Sequence, residues 1–389
     1  MGVIQFGMVC ILVSGIVVYC TACSIAVYGH FRRVKTVDDR YTPSVSIIIP
    51  ARNEEQHIGF LLDDLIRQDY PAGDLQIVVV DDCSEDSTLE IVKRFMTLDK
   101  RINLLSTANS LSLYTHKKRA VYEGIMSTGS EIIVTTDADC RVYPGWISGM
   151  VKHFTPGVDL VAGAVSVEGG GLLGRFEALE FLGIQAMSSG LMIARFPVTC
   201  NGANLAYRRN AFERAGGFDG VGDIVSGDDD LLMQKIAEGD ASRIVYAMER
   251  AVTVRTDAAG SPSEFLNQRV RWASKIGRYP SVPAIVLLSL IFIFLAVIPV
   301  WLLLASLHIV TFTPLLLVYG LKTAGDMLLT GYGVIKNGRP WLMLLFPFAD
   351  ILHVPYILAV TVRGFFGTFE WHGRQTGAVN IEYGNNPHD

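Results

Sequence analysis

The sequence predicts an α/β protein in which a mostly parallel sheet carries helices on both faces, with membrane-spanning helices before and after it. Within residues 40–280, short β-branched apolar runs alternate with segments of helical periodicity, which is typical of a parallel sheet covered on both sides. Residues 1–31 and 281–321 contain no Asp, Glu, Lys or Arg. Charged residues make up 18% of the chain, whereas soluble domains carry about 25%. This composition excludes a disordered chain and a coiled coil.

The first apolar segment predicts a membrane anchor over residues 1–31. Residues 3–28 are long enough to cross a bilayer, which takes about 20 helical residues. A signal peptide would begin with a basic region and have a shorter apolar core. A buried core helix rarely runs this long without a polar face. We therefore expect an N-terminal transmembrane helix.

The central domain is predicted over residues 40–280, and its strands and helices alternate. We expect strands at residues 45–49 (ended by Pro50), 76–80, 102–105 and 132–136, and helices at 54–68, from Ser84 or Ser87 onward, and at 117–127. In such sheets, ligands bind beyond the carboxyl ends of the strands. Acidic residues collect there, because Asp81 and Asp82 follow the second predicted strand, and Asp137 and Asp139 follow the fourth.

The run at residues 281–321 is too long for one crossing and suits two. A break is expected near 308–314, with the second helix continuing to about Val334. Lys322 and Asp326 are four residues apart on that helix, so their side chains can pair.

The C-terminal membrane region, residues 281–362, contains two or three crossings. Its last apolar segment, residues 341–362, either crosses the bilayer again or is re-entrant or interfacial. A full crossing would put Arg363 and Arg374 outside, whereas a re-entrant segment keeps every basic loop inside. Residues 363–389 are expected to form a cytoplasmic tail.

The basic residues predict the orientation in the membrane. Lys and Arg favour the cytoplasmic ends of membrane helices. The first apolar segment is followed by Arg32, Arg33, Lys35 and Arg40, and the second is preceded by Lys275 and Arg278. We therefore expect a multi-pass protein of the plasma (inner) membrane, in contact with membrane lipid, with its central domain in the cytoplasm.

Several classes of function are disfavoured by what the sequence lacks. The formal net charge is −5, so bulk electrostatics give no reason to expect nucleic acid as a partner. No GxGxxG follows a predicted strand and no GxxxxGK[ST] occurs, which disfavours a Rossmann dinucleotide site and a P-loop NTPase. Of the six cysteines, Cys20 and Cys23 lie in the first apolar segment, and no CxxC or His/Cys spacing in the chain suggests a zinc site.

The sequence Asp137-Ala138-Asp139 is a candidate metal site. On extended chain, carboxylates at i and i+2 point the same way, with Cα atoms about 6–7 Å apart. Hard carboxylate oxygens suit Mg²⁺ or Mn²⁺, which prefer few protein ligands together with phosphate oxygens. The alternative is a solvated turn after a strand.

Three further groups have both a structural and a chemical interpretation. Asp81 and Asp82 either form a turn or accept hydrogen bonds from a base or ribose. Lys117 is either an exposed helix start or a phosphate contact. The acidic triplet at residues 228–230 either caps the next helix or supplies a carboxylate that takes a proton from a hydroxyl.

Gln268, Arg271 and Trp272 fall at i, i+3 and i+4, so they share one helix face. Arginine would hold a diphosphate, and tryptophan would stack on a sugar ring. The alternative is a belt of Trp and Arg beside the bilayer.

Taken in order, these motifs resemble the membrane-bound family 2 glycosyltransferases of the cellulose, hyaluronan and chitin synthase type. The matches are SIIIPARNEE at residues 46–55, VDDCS at 80–84, residues 117–125, TDAD at 136–139, NGAN at 201–204 through 217–219, GDD at 227–229 and QRVRW at 268–272. Cys83 departs from the usual glycine after the two acids, which puts the tight turn in doubt.

The resemblance implies a GT-A fold and an inverting transfer from a nucleotide-diphosphate sugar with Mg²⁺ or Mn²⁺. It implies nucleotide-sugar contacts at Glu54, Asp82, Lys117 and Asp137, and metal contacts at Asp139, with Asp137 beside it. Asp229 matches the catalytic aspartate, with Asp228 as the alternative one residue earlier. Gln268, Arg271 and Trp272 match the QxxRW motif associated with acceptor and diphosphate binding.

The expected function is transfer of a sugar to a hydroxyl of a lipid-linked or polysaccharide (glycan) acceptor in cell-envelope glycan synthesis. The alternatives are a processive polysaccharide synthase and, more remotely, an inactive nucleotide-sugar-binding membrane protein. A small transporter is disfavoured because the chain lacks the paired membrane halves expected of one.

Overall fold

The computed structural model describes residues 3–37, 41–112, 114–224, 226–371 and 374–377. The strands are β1 (Val45–Ala51), β2 (Leu75–Asp81), β3 (Ile102–Ser106), β4 (Ile132–Thr135), β5 (Leu160–Gly163), β6 (Val165–Glu168), β7 (Leu205–Arg208), β8 (Ile244–Ala247), β9 (Val254–Asp257), β10 (Thr368–Trp371) and β11 (Arg374–Gly377). The helices are α1 (Val3–Phe31), α2 (Ile58–Ile66), α3 (Thr88–Leu98), α4 (His116–Met126), α5 (Trp146–Val151), α6 (Gly171–Ile193), α7 (Arg209–Arg214), α8 (Asp230–Ala237), α9 (Pro262–Ser274), α10 (Val282–Ser306), α11 (Thr313–Lys336) and α12 (Phe346–Phe366).

The central sheet has seven strands in the order β3-β2-β1-β4-β7-β5-β8. Strand β7 runs antiparallel to both of its neighbours, and every other pair is parallel. The predicted mostly parallel α/β sheet is therefore confirmed. Because β1, β2 and β4 run side by side in the same direction, the loops that follow them meet at one edge of the sheet.

The continuous apolar strands are explained by burial on both faces. Along β1, Ile47 and Ile49 belong to one hydrophobic cluster, and Ile48 belongs to the cluster on the opposite face. All three side chains are fully buried. Full burial of one such side chain contributes about 1.5–3 kcal/mol, so neither face tolerates a polar residue.

Strand β1 continues through Pro50 to Ala51, so the prediction that Pro50 ends the strand was wrong. Strand β4 pairs with β1 only as far as Ile48, and beyond that point β2 is the neighbouring strand. Proline is tolerated where the ladder needs no N–H from that residue. The following helix α2 starts at Ile58 rather than at Glu54.

Helices α1 and α10, together with α12 and the turn before it, are long and apolar enough to cross a membrane. The predicted break near residues 308–314 is confirmed, because α10 ends at Ser306 and α11 begins at Thr313. Lys322 and Asp326 pair at 2.8 Å as expected. Lys322 also pairs with Asp350 of α12 at 2.5 Å.

Helices α1 and α11 dock onto the central domain through α6. A Cβ atom added to Gly29 of α1 would lie 1.9 Å from the Gly190 carbonyl oxygen of α6, so this close approach requires glycine. Gly333 of α11 also lies close to α6, where an added Cβ would lie 2.5 Å from the Leu182 carbonyl oxygen. The helix ends next to the domain are thereby fixed to it.

Helix α12 contacts the central domain near both of its ends. Phe346 packs in the same cluster as Phe181 of α6, and Val360 packs with Val270 and Ala273 of α9. Residues 372–373 and 378–389 of the predicted tail lie outside the described residues. The same holds for residues 38–40, which include the start of the predicted central domain.

Candidate active site

All ten residues predicted for the site line one open cavity of about 820 Å³ beyond the carboxyl ends of β1, β2 and β4. They come from six separate stretches of the chain. They are Glu54, Asp82, Lys117, Asp137, Asp139, Asp228, Asp229, Gln268, Arg271 and Trp272. The topology of the sheet and the docking of α9 thus bring together residues that lie far apart in the sequence.

The loops after β1 and β2 hold each other in place through backbone-to-side-chain hydrogen bonds. The Asn53 amide donates to Ser84 Oγ at 3.0 Å, and the Glu54 amide donates to Thr88 Oγ1 at 2.8 Å. In return, the Glu85 amide donates to Asn53 Oδ1 at 2.8 Å. Several residues of the SIIIPARNEE and VDDCS motifs therefore have a structural role, which the sequence alone did not reveal.

The doubt about the turn at Cys83 is resolved. The turn forms with Cys83 in the left-handed region, at φ +61°. This conformation costs a non-glycine residue about 1–2 kcal/mol. The bonds between the two loops hold the backbone in this conformation despite the missing glycine.

Asp82 is a hydrogen-bond acceptor at the end of β2. Thr107 Oγ1 donates to Asp82 Oδ1 at 2.7 Å, and the Arg119 guanidinium pairs with the same oxygen. Arg52 Nη1 donates to the Asp82 carbonyl oxygen at 2.7 Å. These contacts fix the carboxylate at the cavity wall.

The expected extended geometry of Asp137 and Asp139 was wrong. Strand β4 ends at Thr135, and the Cys140 amide donates to the Asp137 carbonyl oxygen at 3.2 Å, which closes a turn. The two carboxylates therefore have different partners: Asp137 contacts Lys117, and Asp139 accepts from Thr256 Oγ1 at 3.2 Å.

The ionisation of Glu54 and Asp139 is perturbed by burial and by neighbouring carboxylates. Burial raises the pKa of Glu54 to about 7, and the Asp139 carboxylate adds to the rise. Burial, followed by the Asp137 carboxylate, raises the pKa of Asp139. This part of the cavity therefore concentrates negative charge.

This donor set fits a divalent cation that is shared with a ligand. Carboxylate oxygens are the ligands that Mg²⁺ and Mn²⁺ prefer, usually completed by water and phosphate oxygens. Among the described residues, no three His, Cys, Asp or Glu side chains are grouped so as to hold an ion. An ion at Asp139 would therefore need oxygens from a bound diphosphate.

Lys117 bridges the two acidic halves of the cavity. Its Nζ lies 2.6 Å from Asp137 Oδ1 and 3.1 Å from Asp228 Oδ2. Burial by itself would lower the pKa of Lys117, but Asp137 and Asp228 raise it well above its usual value. Lys117 is therefore a fixed cation and not an exposed helix start.

Asp229 caps α8, as one interpretation of the acidic triplet expected, and it also lines the cavity. Its Oδ1 accepts from the Asp230 amide at 2.7 Å, and its Oδ2 accepts from the Gly202 amide at 3.0 Å. Burial alone would raise the pKa of Asp229, but Lys275 and Lys117 lower it well below its usual value. Asp229 is thus held as a carboxylate.

Sequence reasoning missed Lys275 and Tyr279 as site residues, and it gave Asp230 only as a member of the acidic triplet. Lys275 Nζ lies 3.1 Å from Asp229 Oδ1 and 2.9 Å from Asp230 Oδ2, and Tyr279 Oη donates to Asp230 Oδ2 at 2.7 Å. One signal was available for Lys275, since it lies at i+7 from Gln268 and so continues the helix face of the QxxRW motif.

Helix α9 carries Gln268, Arg271 and Trp272, and all three line the cavity. Arg269, which sequence reasoning did not single out, is buried and lies 2.7 Å from Glu180 and 3.5 Å from Glu177. Its guanidinium also stacks on the Trp272 ring at 4.2 Å. Arg269 therefore orients the tryptophan and ties α9 to α6.

Comparison with known proteins agrees with this architecture. A family model described as glycosyl transferase family 2 matches residues 46–216, and one described as glycosyl transferase family group 2 matches residues 132–363. The mannosyltransferase PcManGT from Pyrobaculum calidifontis, solved in complex with GDP-Man and Mn²⁺, is similar in fold with a TM-score of 0.59. That likeness covers 92% of this chain and 98% of PcManGT at 20% identity.

Curated relatives match over part of their length. The chain is 28% identical to glycosyltransferase AglE of Haloferax volcanii over 191 residues, which are 48% of this chain and 59% of AglE. It is 31% identical to the probable glycosyltransferase YdaM of Bacillus subtilis over 183 residues, 46% of this chain and 43% of YdaM. The chain thus spans about half the length of these relatives. On the family models and the GT-A-like sheet, the chain belongs to glycosyl transferase family 2.

Proposed function

We propose that the protein is a membrane-bound inverting glycosyltransferase that moves a sugar from a nucleotide-diphosphate sugar to the hydroxyl of a lipid-linked or glycan acceptor. The observation that carries this proposal is the convergence of Asp82, Asp139 and Asp229 on one cavity. These carboxylates come from three different loops, and no structural need of the sheet requires all three to face the same space.

The donor half of the site lies at the ends of β1, β2 and β4. Asp82 would accept hydrogen bonds from the base or ribose, and Glu54 and Asp137 line the path to the diphosphate. Lys117 and Arg271 are the cations that meet phosphate oxygens there. Arginine is suited to this role because its planar fork binds phosphate oxygens in pairs.

The charge of the cavity supports a divalent cation. Its wall has five Lys and Arg residues (Arg52, Lys117, Arg269, Arg271 and Lys275) and ten carboxylates (Glu54, Asp82, Asp137, Asp139, Glu177, Glu180, Asp228, Asp229, Asp257 and Glu264). A diphosphate would be repelled from this surface without a counter-ion. Asp139, with Asp137 beside it, would hold Mg²⁺ or Mn²⁺, which when bound neutralises charge on the leaving diphosphate.

Asp229 would act as the general base. The acceptor oxygen forms a bond to the anomeric carbon as the bond from that carbon to the diphosphate oxygen breaks on the opposite face, which inverts the configuration. The hydroxyl proton passes to Asp229. Positioned proton transfer of this kind contributes about 10²–10⁴-fold in rate, and the Gly202 amide together with Lys275 keeps the carboxylate in one orientation.

The acceptor half would be formed by α9, in a QxxRW-type arrangement. Trp272 offers an apolar ring face to a sugar, and Gln268 lies one turn before it. The apolar helices α1 and α10 support a membrane location next to this half, and the basic residues around them support a cytoplasmic site at the plasma (inner) membrane.

The test is incubation of the purified full chain with radiolabelled nucleotide sugars, Mn²⁺ and a lipid extract. We expect label in an organic or glycan fraction together with release of nucleoside diphosphate. A ladder of product lengths would indicate the alternative, a processive polysaccharide synthase. The absence of transfer and of diphosphate release with every donor would contradict the proposal.

A further inference from the structure

Besides its carboxylates, the cavity is lined by a group of apolar side chains, which we call the apolar arm. This arm is lined by Ile184 of α6, Val198, Ile276, Leu288 of α10, and Ile357 and Val360 of α12. Nothing in the transfer of a sugar between two polar molecules requires such a surface. The arm is continuous with the space around Asp229, so an acceptor could occupy both at once.

The arm lies where the membrane helices leave the domain. Leu288 is six residues into α10, about 9 Å from its start at 1.5 Å per residue. Neighbouring side chains that face away from the arm are apolar and exposed: Leu290 of α10 by 42% and Val362 of α12 by 49%. One side of each helix therefore suits lipid, and the other lines the cavity.

The charges between the arm and Asp229 disfavour an anionic acceptor. Three basic side chains at α9 line this part of the cavity. Arg271 is assigned to the donor diphosphate, and the other two are each buried against two carboxylates: Arg269 against Glu177 and Glu180, and Lys275 against Asp229 and Asp230. A lipid phosphate at this position would face Asp229 without a cation of its own. It would also need no base, because it already carries the nucleophilic charge.

We infer that the acceptor is a membrane lipid with an uncharged hydroxyl head group, whose chain lies between α10 and α12 along this arm. The inference rests on the proposed transfer reaction and specifies its acceptor. The neutral hydroxyl donates its proton to Asp229, while the hydrocarbon occupies the surface formed by Leu288, Ile357 and Val360. The two helices are then the entrance from the bilayer.

The experiment uses the full chain in phosphatidylcholine nanodiscs with a diacylglycerol probe that carries a photoreactive diazirine in its acyl chain. After illumination, labelled peptides are identified by mass spectrometry. We expect label on α10 and α12 beside the arm. Unlabelled dioleoylglycerol should compete at least fivefold better than dioleoyl phosphatidate, which has the same chains and differs by its phosphate.

Leu288→Trp fills the arm and should reduce labelling at least fivefold, and Ile357→Trp gives an independent second variant. Leu290→Trp, on the exposed side of α10, is the matched control and should leave labelling within twofold of the unmodified protein. Equal labelling in the filled and control variants would overturn the location of the chain. Equal or better competition by the phosphatidate would overturn the neutral head group.

Donor binding on the same samples separates this inference from the proposed function. A rise in the unfolding midpoint with nucleoside diphosphate and Mn²⁺ shows that the variants are folded and that the donor site is intact. If that rise occurs but the labelling and competition results differ from those expected, the acceptor inference is wrong and the proposed function is retained. If nucleoside diphosphate does not change the unfolding midpoint of the unmodified protein, both the proposed function and the acceptor inference are wrong.

Discussion

Lys275 Nζ lies 3.1 Å from Asp229 Oδ1, and the same ammonium group lies 2.9 Å from Asp230 Oδ2. Lys275 has only 5% of its surface exposed, so water does not screen these contacts. Asp229 is the proposed base, and its ionisation therefore depends on a residue at the end of the QxxRW helix. This contact couples α9 to the carboxylate that would take the acceptor proton.

Replacing Lys275 should move the acid limb of the pH–rate profile. Burial raises the pKa of Asp229, and Lys275 is the first group that opposes this rise. In Lys275→Met the pKa should rise, so kcat/KM should begin to fall at a higher pH as the solution is acidified. In Lys275→Arg the acid limb should stay at the pH seen for the unmodified protein. The exposed control Lys93→Met should also have the profile of the unmodified protein. An unchanged profile in Lys275→Met would contradict this coupling.

Substitutions of Asp229 and of Asp228 should have different effects on the steady-state kinetics. Asp229→Asn removes the proposed base and should lower kcat by about 10²–10⁴-fold, while donor binding survives. Asp228→Asn removes a 3.1 Å contact with Lys117 and should mainly raise the donor KM. Steady-state kinetics with varied donor distinguish the two. Full turnover by Asp229→Asn would remove it from the mechanism, and the reverse pattern would assign the base to Asp228.

Activity should require a divalent cation. EDTA should stop transfer, and added Mn²⁺ or Mg²⁺ should restore it, because the cavity wall repels an uncompensated diphosphate. Asp139→Ala should raise the Mn²⁺ concentration needed for half-maximal rate by at least tenfold. The measurement is initial rate against free metal concentration. Undiminished activity in chelator would contradict the role assigned to Asp139.

Arg269 should be important for stability. Its side chain is 4% exposed and faces two carboxylates, and breaking a buried pair of this kind costs about 3–5 kcal/mol. Arg269→Met should therefore lower the free energy of unfolding by that amount in denaturant titrations in detergent. Arg278→Met removes a solvent-exposed pair with Asp223 and should change it by about 1 kcal/mol or less. Equal effects would contradict the assignment.

Trp272 should act on the acceptor more than on the donor. Trp272→Ala removes a ring that Arg269 and Phe181 hold at the cavity wall. We expect a higher acceptor KM with little change in donor affinity, as measured by varying each substrate in turn. If neither acceptor KM nor rate changes, Trp272 belongs to the interfacial belt that the sequence also allowed.

The first half of the sheet could be predicted because its strands are continuous apolar runs. Residues 45–49 and 76–80 stand out since both faces of β1 and β2 are buried. Strands β5 and β8 were not predicted, and their position in the sheet depends on pairing with β7 or with each other, which brings together segments that lie far apart in the sequence. The antiparallel β7 could not be anticipated for the same reason.

The site was predictable where a motif follows a strand or lies on one helix face. Asp82, Asp139 and the QxxRW residues were located in this way. The partners of these residues were not, because Lys275 meets Asp229, and Lys117 meets Asp228, only after distant segments have packed together. The turn at Asp137 was given only as the alternative to an extended chain, because the main-chain hydrogen bond that closes it has no sequence signal of its own.

The most direct test of the central claim is a thermal-shift titration of the purified full chain with nucleotide-diphosphate sugars in the presence and absence of Mn²⁺. A ligand at 100 times its Kd stabilises the folded state by about 2.7 kcal/mol. We predict that at least one donor raises the unfolding midpoint with Mn²⁺, and that Asp139→Ala abolishes most of this rise. No shift with any donor, or an equal shift in Asp139→Ala, would contradict the claim that these carboxylates bind a cation-bound nucleotide sugar.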